Sequence, residues 1–98
     1  MYHLDHLFTL LTIEKARELQ LRPDHPPVIV SEREERPLQG PPISRDEVLG
    51  LLRNLATSRQ MRDLRVSGSV QFVYTTRGRA PFLIRAHMAD DQVMFDIS

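Results

Sequence analysis

His3 and His6 lie three positions apart near the start of the chain, one turn apart if that stretch is helical. Two imidazoles at this spacing can hold a transition metal, but a structural zinc site takes four donors and a catalytic one takes three. No further ligands at metal-binding spacing accompany them, so they read as solvated surface histidines. Asp90-Asp91 sets two carboxylates side by side, the raw material of acid–base chemistry. Neighbouring aspartates also favour turns, and a turn is the better reading. The run Glu32-Arg33-Glu34-Glu35-Arg36 mixes both signs of charge and reads as a solvated loop. No cysteine nucleophile, G-x-S-x-G elbow, H-E-x-x-H helix or G-x-x-x-x-G-K-[ST] phosphate loop occurs in the sequence. The expectation is a chain with no catalytic, metal-binding or cofactor-binding residue of its own.

Composition narrows the remaining classes. Thirteen basic residues balance thirteen acidic ones, so no global field draws the chain to nucleic acid or to an anionic membrane. Without cysteine there is neither a disulfide nor a thiolate metal site, which fits the cytoplasm. No apolar run approaches the ~18 residues of a membrane span, and the N-terminus does not have the pattern of a signal peptide. With 98 residues, 41% apolar and 27% charged, the chain reads as one globular domain over residues 1–98.

The elements follow from periodicity. Leu4, Leu7, Phe8 and Leu11 make one stripe of an amphipathic helix of about four turns, ending near Lys15–Arg17. Leu19–Leu21 and Val28–Val30 are short strands, split by Arg22-Pro23-Asp24-His25-Pro26-Pro27. The prolines there fix φ and remove backbone donors, so no helix or central strand passes through. Ser44 and Glu47 have the spacing of a capping box, with Ile43 and Val48 as its hydrophobic staple. Val48, Leu51, Leu52 and Leu55 then form the buried stripe of a second helix. Thr57 and Gln60 cap a short third one that turns Met61 and Leu64 inward. From Ser69 the period changes to two: three antiparallel strands follow, with turns at Arg77-Gly78 and Asp90-Asp91. The sum is an α+β, PAS-like architecture, a mostly antiparallel sheet of about five strands with three helices on one face.

Alternation divides the last three strands into two faces. Phe72, Tyr74, Phe82, Ile84, Val93, Phe95 and Ile97 make a face so apolar that helices must cover it. The other face carries Gln71, Val73, Thr75, Leu83, Arg85, His87, Gln92 and Met94. A solvated face of an antiparallel sheet is usually mostly polar. Here Val73, Leu83 and Met94 are expected to form an apolar centre rimmed by Arg85, His87 and two glutamines. That is the composition of a protein contact surface.

The order and spacing of several short motifs resemble one family. Ala16, Leu19, Leu21, Pro26, Pro27, Pro37 and Leu38 fall at the spacings of a run, A-S-D-L-H-L-x-x-G-x-P-P-x-x-R-x-x-G-x-L-x-P-L, found in the N-terminal domain of the pilus-retraction (PilT-like) and related secretion ATPases. Ile43-Ser44-Arg45-Asp46-Glu47-Val48 resembles the family's L-T-x-E-E-(V/I). Leu51-Leu52, Leu55 and Gln60 resemble its L-L-x-x-L and following Gln, and Gln71-Phe72-Val73-Tyr74 its D-F-S-Y. The resemblance covers nearly the whole chain and implies the PAS-like fold. It also implies docking on a RecA-like motor core, which in the family is a second domain within a hexameric ring. Family arginines that reach nucleotide from the last strands are replaced by Pro81, Leu83 and Met88, although a one-residue slip would return Arg79 or Arg85 to that role. Arg33 stands where the family has glycine, so the turn there either differs or carries strain. The leading expectation is therefore a non-catalytic interaction module that docks on a motor core or on a second copy through Val73, Leu83, Arg85, His87 and Met94. Its alternatives are a PAS-like small-ligand sensor and the N-terminal fragment of a hexameric ATPase.

Overall fold

The computed structural model describes residues 2–98. The elements run α1 (Leu4–Ile13), β1 (Glu18–Leu21), β2 (Val28–Val30), β3 (Glu35–Pro37), α2 (Arg45–Leu55), α3 (Ser58–Ser67), β4 (Ser69–Tyr74), β5 (Phe82–Ala89) and β6 (Gln92–Ile97). The strands form one six-stranded sheet in the order β3-β2-β1-β6-β5-β4, antiparallel at every pairing. The class is α+β, as the alternation predicts, with one more strand than the five expected. The additional strand is β3, inside the run read as a loop. Charge and Pro37 argue against a central strand, but both are tolerated at the margin of a sheet, where β3 lies. Arg33 does not adopt positive φ, so the turn before β3 carries no left-handed strain at that residue.

α2 and α3 begin where local chemistry dictates. Ser44 caps α2 by accepting from the Glu47 N–H at 3.1 Å. The reciprocal half of the expected box is absent: Glu47 Oε2 instead accepts the Tyr2 backbone N–H at 2.6 Å, tying the start of the chain to α2. Ile43 and Val48, the staple pair, are fully buried. α3 has the complete box, with Thr57 and Gln60 each satisfying the other's backbone amide. Gly68 ends α3 in the left-handed region at φ 82°, which lets the chain turn directly into β4. α1 is one turn shorter than its stripe suggests, because Lys15 adopts positive φ and the chain swings into β1.

The core lies between the sheet and the three helices. Leu7, Phe8 and Leu11 of α1, the Val48–Leu55 stripe of α2, and Met61 and Leu64 of α3 meet Leu19, Leu21, Ile29, Phe72, Phe82, Ile84, Ala86, Phe95 and Ile97. Phe8 stacks on Phe82 with centroids 4.4 Å apart and on Tyr74 at 5.8 Å. No polar or charged side chain is buried among the described residues, so the interior of the layer is held by apolar contact. The proline segment is clasped to the approach to α2: Asp24 N–H donates to Ile43 O at 2.7 Å, and Ile43 N–H to His25 O at 3.0 Å. No helix among the described residues is long and apolar enough to cross a membrane.

Candidate functional site

Among the described residues, no element covers the sheet face away from the helices. Register fixes what it displays. Gln71 pairs with Arg85, Arg85 with Asp96, and Asp96 with Gln20, giving one polar row across four strands. Val73 pairs with Leu83 on one side of that row. On its other side Ser69 pairs with His87 and His87 with Met94. All five expected surface residues, Val73, Leu83, Arg85, His87 and Met94, thus lie on the uncovered face. They do not form one apolar centre. The Arg85–Asp96 row separates Met94 from the Val73–Leu83 pair, of which Val73 is 63% exposed.

The polar row is an extended network. Arg85 Nη2 donates to Glu18 Oε2 at 3.4 Å, Gln20 Nε2 to Glu18 Oε1 at 3.2 Å, and Arg22 Nη1 to Gln20 Oε1 at 2.8 Å. Asp96 sits half-buried within it. Burial, and then the charge of Glu18, push its carboxyl above the ordinary aspartate range, while Arg22, Arg85 and His87 pull the other way. Ion pairs this exposed contribute little stability, so the network's chief effect is the pattern of charge it presents to an approaching surface. Glu18, Gln20, Arg22 and Asp96 were missed from the sequence as members of the face. For Asp96 the signal was available, since it shares its parity with Met94 and Gln92. For the residues of β1 it was not, because their place beside β6 depends on a pairing between distant segments.

The other candidates lie apart from this network. His3 and His6 meet edge to face at 5.7 Å, and the described residues contain no group of three His, Cys, Asp or Glu that could hold a metal ion. Asp90 and Asp91 both have positive φ, 53° and 61°, as the two central positions of a tight hairpin turn require. Arg79 turns away from the uncovered face: its Nη2 donates to Thr9 Oγ1 at 3.0 Å, and its guanidinium lies 6.0 Å from the Phe8 centroid. Between α1 and α2 runs a groove of about 970 Å³, open to solvent, with Tyr2, Phe8, Leu51 and Tyr74 among its walls.

A scan with protein-family models finds no match, and a search of curated proteins finds none either. Solved structures do match. The chain superposes on the pilus retraction motor PilT, determined with bound ADP, with a TM-score of 0.88 over 99% of its length at 15% identity. It superposes on the ATPase DotB of Legionella pneumophila with a TM-score of 0.74 over 95% of its length at 11% identity. The chain spans 29% of the first of these proteins and 26% of the second. Identities this low speak to architecture, and the architecture is the one the proline motif, the capped helices and the closing strands lead to. The chain has the fold of the N-terminal domain of the pilus-retraction and secretion ATPases.

Proposed function

We propose that the chain is a non-catalytic interaction and assembly module, folded as one domain over residues 1–98, that docks a protein partner on its uncovered sheet face. The partner that best fits is a RecA-like motor ATPase core in the cytoplasm, because the two structural neighbours are a pilus retraction motor and an ATPase. The observation that carries this reading is the face itself: six strands wide, unshielded by any helix, with Val73, Leu83 and Met94 flanking a charged Arg85–Asp96 row that Glu18 joins through Arg85. Apolar residues beside an arginine and a patterned set of charges suit a contact surface better than a solvated one. The sequence has no phosphate loop to support hydrolysis by this chain itself. The α1–α2 groove is open to solvent and does not enclose a chamber of the kind a small-ligand sensor uses.

The test is the double variant Leu83→Asp with Arg85→Glu, offered to the immobilised RecA-like core of a pilus-retraction ATPase. Docking on this face requires binding by the parent chain and its loss in the variant, with circular dichroism unchanged. Equal binding by both chains refutes the face as the docking surface.

A further inference from the structure

The two margins of the sheet treat their free edges in opposite ways. β3 is three residues long and reads Glu35-Arg36-Pro37, combining charge with a residue that has no amide to donate. Short, charged, proline-bearing margins are how proteins block sheet-to-sheet pairing. β4 reads Ser69-Val70-Gln71-Phe72-Val73-Tyr74, twice as long and without a charged residue or a proline. Its register against β5 runs unbroken through six pairs, so no bulge twists the margin away.

Hydrogen-bond phase identifies which groups the β4 margin leaves free. Met88 N–H donates to Gly68 O at 2.9 Å, and Leu83 exchanges bonds of 2.8 and 2.9 Å with Ser98. In an antiparallel pair the residues that exchange bonds alternate along the strand. The odd-numbered residues of β5 therefore bond β6, and its even-numbered residues bond the even-numbered residues of β4. The N–H and C=O groups of Ser69, Gln71 and Val73 point out of the sheet, and no turn or cap bond takes them up.

We propose that this margin is a self-association surface, on which β4 of one copy pairs antiparallel with β4 of a second. A twofold axis at Gln71 sets Ser69 opposite Val73 and Gln71 opposite its own counterpart, so every outward donor meets an outward acceptor. The same axis sets Val70 opposite Phe72, a β-branched–aromatic pair that stabilises neighbouring strands. A second copy suits the margin because the strand is neutral and places no like charges in register. The balanced charge of the whole chain also removes long-range repulsion between copies. This surface is formed by backbone groups along an edge, whereas the face described above presents side chains, with Gln71 and Val73 common to both, so either can fail without the other.

Sedimentation velocity of the 98-residue chain over a concentration series tests the proposal, with hydrogen exchange of the backbone amides alongside. The expected result is a mass rising from 11.4 kDa to twice that value, with the Gln71 and Val73 amides becoming protected as it rises. Gln71→Pro deletes an outward donor and no β4–β5 bond, and weakens the dimer by about tenfold or more through two lost hydrogen bonds. Val70→Lys acts in the same direction with the backbone intact, by placing a charge opposite Phe72 of the second copy, and supplies the test if the proline variant does not fold. A mass of 11.4 kDa at every concentration overturns the proposal. So does a dimer whose Gln71 and Val73 amides stay unprotected, or one that Val70→Lys leaves intact while Leu83→Asp with Arg85→Glu dissolves it.

Discussion

Replacing Phe8 tests how the first helix is fastened to the rest of the molecule. Phe8 is 2% exposed, and its ring lies 4.4 Å from Phe82 at an interplanar angle of 13° and 5.8 Å from Tyr74 at 23°. It thus joins α1 to the strands on either side of the β4–β5 loop, more than sixty residues later in the chain. Truncation of a buried phenylalanine to alanine costs about 3–5 kcal/mol, combining lost transfer energy with the cavity left behind. A domain of this length has a total stability of about 5–15 kcal/mol, so Phe8→Ala removes roughly a fifth of it or more. Phe8→Leu keeps most of the volume, so the larger part of its effect is loss of the stack. A double-mutant cycle between Phe8→Leu and Phe82→Leu therefore isolates the ring–ring interaction, expected at about 0.5–1.5 kcal/mol. Urea unfolding followed by far-ultraviolet circular dichroism measures the parent, Phe8→Ala and the three variants of the cycle. A loss below about 1 kcal/mol for Phe8→Ala, or no coupling in the cycle, refutes the packing of α1 against the hairpin.

Two further changes probe separate links. Ser44→Ala removes the hydroxyl that accepts the Glu47 amide and is expected to lower stability by about 1 kcal/mol, or roughly 4–8 °C in Tm, without affecting partner binding. An unchanged melting curve would place the start of α2 elsewhere. Asp96 titrates above the ordinary aspartate range in the folded state, so on acidification the folded chain takes up that proton before the unfolded chain does. Its contribution to stability accordingly grows as pH falls from the raised folded value to the unfolded one, and is absent at neutral pH. Asp96→Asn should be more stable than the parent at pH 7 and should lack that acid-side gain. A parent and variant with parallel stability–pH profiles would contradict the assignment.

What the sequence made legible was what depends on near neighbours. Thr57-Ser58-Arg59-Gln60 carries its own cap, and the alternation from Val70 to Ile97 sorts side chains between faces without reference to anything distant. Glu35-Arg36-Pro37 misled because charge and proline mark loops in most settings, and only the sheet order reveals a margin where both are tolerated. Glu47 misled in a different way. Its spacing from Ser44 fits a box, but Tyr2 brings a competing donor from the far end of the chain. The contact face was legible in its membership and not in its pattern. Parity alone groups Val73, Leu83 and Met94, whereas strand register inserts Arg85 and Asp96 between them.

The pairing of β1 with β6 joins residues as far apart in sequence as Leu19 and Ile97 at the middle of the sheet. Until β6 exists, β3-β2-β1 and β5-β4 have no shared strand, and Leu19, Leu21 and Ile84 lack the neighbours against which they are buried. During synthesis the two half-sheets can therefore form early, but the core cannot close before the last strand has left the ribosome. Closing a loop of roughly eighty residues is entropically costly and slow, and it leaves apolar strand faces open in the meantime. The chain is thus most exposed to misassociation until β6 docks between β1 and β5, and a truncation that removes β6 leaves two incomplete half-sheets in place of a shorter domain.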